Sequence, residues 1–85
     1  MADDVRVRGI IRLKLQRGLL PASSPPDGIW AGRGADELCS ACGERVTKSQ
    51  MLYEWDGAGG RMNMHLRCYE LWDDERHRTT GDGRG

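Results

Sequence analysis

Cys39-Ser40-Ala41-Cys42, answered after 22 intervening residues by His65-Leu66-Arg67-Cys68, decides the fold of this chain. Three soft thiols and one imidazole, set in two pairs with two-residue gaps, are the donors and the spacing of a closed tetrahedral zinc site, with Zn–S near ~2.3 Å and Zn–N near ~2.0 Å. All three cysteines are used, so no thiol is left over. Cys39, Cys42, His65 and Cys68 are therefore the expected ligands of one structural Zn2+. The competing account is separate buried thiols beside an ordinary surface histidine. Zinc needs deprotonated thiols, and a helix starting near His65 would lower the pKa of Cys68 through its positive end. One ring nitrogen of His65 would bind the ion and the other donate to a carbonyl or carboxylate. The sequence does not choose between them.

Composition says why such a site is needed. The chain has 85 residues, no Phe and 12 glycines, and only 38% of it is hydrophobic. Chains below roughly 70–80 residues rarely gain more than ~3–5 kcal/mol from a core alone and often lean on a metal or disulfide. Structural zinc contributes an apparent ~10–16 kcal/mol in finger peptides near neutral pH. An odd cysteine count disfavours a secreted disulfide framework. The acidic start and the cations that follow leave no apolar signal-peptide core, and no stretch approaches a membrane span. The expectation is a reduced, cytoplasmic protein with no membrane partner.

Working outward, residues 1–20 read as an N-terminal helix. Val7, Ile11 and Leu15 recur every four residues with Ile10 beside them, and Asp3 and Asp4 suit its start. Gly18 stops it in a left-handed conformation, Leu19 or Leu20 folds back, and Pro21 forbids continuation. The alternation Val5-Arg6-Val7-Arg8 is a rival strand signal. Residues 21–37 read as linker and loop, with Trp30 expected to pack on the finger or else stand exposed. Residues 38–77 form the finger. Gly43 lets backbone amides turn toward the sulfurs. Met51, Tyr53 and Trp55 alternate on one face of a strand, residues 57–60 turn, and residues 61–64 return as a second strand. A helix from about His65 to His77 places Leu66, Tyr69 and Trp72 with the ligands and turns Glu70, Asp73, Asp74 and Glu75 outward. His77 is expected to be solvated or capping. Residues 78–85 are an expected disordered tail.

A cysteine knuckle, a β-hairpin and a helix carrying the last two ligands in its first turn resemble the treble-clef zinc fold. The spacing C-x2-C-x22-H-x2-C and the run His65-Leu66-Arg67-Cys68-Tyr69 resemble the first zinc module of LIM domains over about 30 residues. Met64 stands where those modules usually carry an aromatic residue, and the second LIM module has no counterpart. The whole chain also resembles small uncharacterised bacterial proteins that join such a finger to a helix end like Leu15-Gln16-Arg17-Gly18-Leu19-Leu20-Pro21. The fold class expected is thus a small zinc-stabilised α+β protein: N-terminal helix, linker, treble-clef finger.

Enzymatic readings fail on coordination, because a catalytic zinc keeps one position open beside three protein ligands. Zinc deaminases need H-x-E ahead of the cysteine pair, whereas Arg67 follows His65 by two and the order is reversed. The glycine-rich runs lack a phosphate-loop pattern. No catalytic residue and no small-molecule substrate are expected. The leading reading is an interaction module for a protein partner. Charge sets the alternative. Five cations against two acids leave residues 1–20 at +3, while residues 65–76 stand at −2 and the chain sums to zero. An acidic finger helix is repelled by phosphates, so nucleic-acid contact would fall to Arg6, Arg8, Arg12, Lys14 and Arg17, supported by Arg33, Arg45, Lys48 and Arg61. Those cations on a solvated face, or paired with the acidic helix, are the plainer account.

Overall fold

The computed structural model describes residues 2–23, 28–57 and 60–80. It is a small α+β fold of two helices and two antiparallel sheets. Helix α1 spans Ala2–Gln16. Strand β1 (Trp30–Arg33) follows, then β2 (Glu37–Leu38) and β3 (Arg45–Val46), a two-stranded ribbon that brackets the knuckle. Strands β4 (Met51–Gly57) and β5 (Gly60–His65) form the hairpin, and α2 runs Leu66–Thr80. The larger sheet has the order β1-β4-β5. No helix among the described residues is long and apolar enough to cross a membrane.

Helix α1 ends as its sequence dictates. Gly18 adopts φ 74°, Leu19 N–H returns to Lys14 O at 2.8 Å and Gly18 N–H to Leu15 O at 3.2 Å. This is a Schellman stop, available to glycine because it has no Cβ to clash. Of the two leucines, Leu20 folds back and is buried while Leu19 stays exposed. Pro21 is then held by Trp72, whose indole N–H donates to its carbonyl at 2.9 Å. Val7 and Ile11 are buried, with Leu15 packed beside them, so the four-residue repeat marks the face laid on α2 and the core. Asp3 and Asp4 lie within the first turn rather than ahead of it.

Several expectations are corrected. Residues 30–33 are an edge strand, not loop: Trp30 stands opposite Glu54 and Arg33 opposite Met51. On that outer strand Trp30 is 56% exposed and does not pack on the finger. Met51, the first residue of β4, leaves the expected buried stripe: it is 47% exposed at the edge of a groove shared with the start of α2. Leu52, on the opposite face, is buried instead. Tyr53 and Trp55 do face α2, where Trp55–Trp72 and Tyr53–Tyr69 centroids lie 5.1 and 5.0 Å apart. Leu66 is exposed. Helix α2 continues past His77 to Thr80, while Ala58 and Gly59 at the expected turn and residues 81–85 of the expected tail lie outside the described residues.

A further correction concerns Glu75, which points inward at 1% exposure. A helical wheel of α2 alone cannot show this, because α1 covers that face. Arg12 Nε donates to Glu75 Oε1 at 2.8 Å and Arg8 Nη1 to Oε2 at 2.7 Å, with a further 2.6 Å bond from Arg8 to Asp74. Burial raises the Glu75 pKa, but the Arg12 and Arg8 hydrogen bonds outweigh it and hold the carboxyl below its ordinary 4.5. Its stabilisation is therefore complete above pH 4.5 and lost as pH falls through the lowered value. Arg67 pairs with Asp4 and Glu70 at the other end of the helix pair. Glu75→Ala is expected to cost about 2–3 kcal/mol, because it strands two guanidiniums that remain partly hydrated. Urea midpoints at fixed metal concentration should separate wild type from Glu75→Gln by a constant interval down to about pH 5. The interval should then close in stronger acid.

Candidate metal centre

Each donor is delivered by a local constraint. Cys39 follows β2, and its N–H donates to Glu44 O at 2.8 Å while Gly43 N–H returns to Cys39 O at 2.9 Å. Gly43 takes φ 83°, so the chain reverses between the ribbon strands with both thiols on the inside of the bend. Cys42 N–H points at Cys39 Sγ, 3.5 Å away. His65 is the last residue of β5, and Cys68 lies in the first turn of α2. Two hydrogen bonds stitch the halves together. Ser40 N–H donates to Asn63 O at 2.6 Å, and Asn63 N–H donates to Ser40 Oγ at 3.1 Å. Lys14 adds a third from α1, with Nζ 3.0 Å from Ser40 O.

The result is a Cys3His group whose ligand atoms all lie within 4.8 Å of one another and which could hold a metal ion. His65 Nδ1 lies 3.5 Å from Cys42 Sγ and 3.7 Å from Cys68 Sγ. Its Nε2–H donates to Arg45 O at 3.0 Å. That bond fixes both ring orientation and tautomer, and it leaves the Nδ1 lone pair facing the sulfurs. Arg45 O was beyond sequence reasoning, because a backbone carbonyl carries no side-chain signature. Cys39 and Cys68 are buried, and Cys42 and His65 half-buried.

Proton chemistry at the group is strongly skewed. A hydrogen bond from the Cys68 thiol, opposed by burial and aided by the amides of Cys42, His65 and Ala41, holds Cys39 down to about 4. Cys68 is pushed up, first by donating to Cys39 and then by burial and the Cys39 charge. Burial, with the Cys39 charge, raises Cys42 as well. Three thiols around one point cannot all ionise against their mutual repulsion without a cation among them.

The basic residues of α1 are mostly engaged within the chain. Arg6 reaches Glu44 at 3.5 Å, Arg8 and Arg12 converge on Glu75, and Lys14 is held by Ser40 O. Only Arg17 of the five has no bonded side-chain partner among the described residues. His77 is exposed, with Nδ1 2.7 Å from Asp73 O in the preceding turn.

No protein-family profile matches the chain, and no curated protein or solved structure matches it. The site's own geometry therefore carries the functional argument. With a divalent ion bound, long-range 1H–15N correlation of the imidazole should show a protonated Nε2 and a metal-bound Nδ1. Metal on Nε2 would contradict the Arg45 anchor.

Proposed function

We propose that the chain is a zinc-stabilised interaction module, built in treble-clef order like the first zinc module of LIM domains, that serves a protein partner and catalyses no reaction. One observation carries the metal assignment. A tetrahedral ion with Zn–S of ~2.3 Å and Zn–N of ~2.0–2.1 Å requires S···N separations of about 3.5–3.6 Å. The Nδ1–Sγ distances of 3.5 and 3.7 Å meet that requirement. Three thiolates and one imidazole are soft enough for zinc, and iron in the same donor set is the chemical competitor. The order of parts also fits: knuckle between β2 and β3, hairpin β4-β5, then α2 with Cys68 in its first turn. Four protein donors fill a tetrahedron and leave no position for water or substrate, which supports a structural rather than catalytic ion. Free thiols in such a site suit a reducing, cytoplasmic setting.

A protein partner is favoured over nucleic acid on the α1 surface. Phosphate contact through Arg6, Arg8, Arg12 or Lys14 would first have to displace carboxylates or a carbonyl already bonded to them. A 490 Å3 groove between α1, the knuckle and the start of α2 is lined by Cys42, His65 and Cys68 together with Val7, Met51 and Leu66.

Elemental analysis of the purified protein should find one zinc per chain. Removing it with a strong chelator should abolish most of the ordered circular dichroism, and an unchanged spectrum would refute a structural role. Cys68→Ser should lose the metal and the finger fold, whereas His65→Cys, which supplies another thiolate, should keep both. Retention of a full equivalent by Cys68→Ser would overturn the ligand set.

A further inference from the structure

We propose that the β1 edge and the turn over residues 47–50 form a contact site for single-stranded nucleic acid, separate from the metal centre and from α1. Among the described residues, the Lys and Arg side chains without a hydrogen bond or ion pair are Arg17, Arg33 and Lys48. Two of these three, Arg33 and Lys48, line one cleft of about 400 Å3 with Gly32, Ser49, Gln50 and Met51. No acid lines that cleft. Apart from Arg17, every other described Lys and Arg has found a carboxylate or a carbonyl, so the pairing of two free ones at a single concavity marks a place for an anion.

The second component is an exposed ring on the same strand, against Gly32 of the cleft though not itself part of the lining. Trp30 is 56% exposed on the edge strand, two residues before Gly32 and on its face. Its Cζ2 and Cζ3 atoms would stand 2.7 and 2.9 Å from a Cβ on Gly32. The indole thus lies down on Gly32, a position that any side chain there would deny it, and Arg33 follows one residue on from the other face of this edge strand. Trp55 and Trp72 are buried in the core, so Trp30 is the indole presented to solvent. The acid opposite it, Glu54, is occupied by Arg61. A flat aromatic platform beside unpaired cations is the arrangement that takes a base by stacking and the adjoining phosphate by charge, with little regard to sequence. An acidic peptide would use the cations and leave the indole without a stacking partner.

Intrinsic tryptophan fluorescence tests this, with the oligonucleotide dT12, a twelve-residue polyglutamate and inorganic phosphate as probes. The expected result is saturable quenching by dT12, with no matching effect of polyglutamate or millimolar phosphate. Arg33→Ala with Lys48→Ala should weaken dT12 binding about tenfold or more and flatten the log–log salt slope by about 1.4, the value for two phosphates on a single strand. Trp30→Leu, followed by fluorescence anisotropy of labelled dT12, should also lose about tenfold, and Trp30→Tyr should recover most of it. All these side chains are exposed, and an unchanged circular dichroism spectrum checks the fold. Arg33→Lys with Lys48→Arg, which keeps both charges, should bind nearly as wild type. Absence of dT12 binding would overturn the proposal, as would equal binding of polyglutamate, an unaffected double variant, or loss only in Arg8→Ala with Arg12→Ala. None of these outcomes depends on the metal assignment.

Discussion

The structure depends on the convergence of two chain segments, residues 39–42 and 65–68, on one point. Bringing three thiols and an imidazole within 4.8 Å is unfavourable for the protein alone, since it concentrates ionisable sulfur in a partly buried space. The neighbouring backbone is arranged to offset that cost. Gly43 turns the knuckle, Ser40 and Asn63 exchange hydrogen bonds across the gap, and the Arg45 carbonyl holds the far side of the His65 ring. In a small chain with no Phe, this closure ties the ribbon, the hairpin and the start of α2 into one body.

A second closure is electrostatic and belongs to the helix pair. Helix α1 brings its apolar repeat to the core and its arginines to the acidic side of α2. Glu75 would be expensive to bury alone, yet two guanidiniums satisfy both of its oxygens. The charges of Arg8 and Arg12 are thus met locally by Asp74 and Glu75, and the exposed surface of α1 is less cationic than its composition suggests.

The opposite edge of the molecule is built differently. Gly32 and Gly34 sit where a Cβ would meet the Trp30 ring and the Thr47 carbonyl, the latter at 2.5 Å. Small residues there let β1 lie close to the turn that follows β3, leaving Arg33 and Lys48 unpaired on the rim. The protein therefore carries one surface whose charges are spent on the fold and another whose charges are not.

Much of this is legible in the residues themselves. The Cys3His group, which could hold a metal ion, follows from donor type and spacing. The α1 stop follows from Gly18 and Pro21, because left-handed backbone and a missing N–H are properties of the residues themselves. The buried face of α1 follows from a four-residue period. Tertiary structure decided the remainder, for reasons that local pattern cannot carry. Whether Glu75 faces in or out depends on what lies over it, and α1 is more than sixty residues away in the chain. Residues 30–33 become a strand because β4 offers them an edge, though Ala-Gly-Arg has no strand periodicity of its own. The nitrogen by which His65 faces the sulfurs is set by a backbone carbonyl twenty residues back. Sequence determined the donors and the helix ends, which are chemistry of single residues; assembly decided burial, pairing and tautomer, which are properties of neighbours.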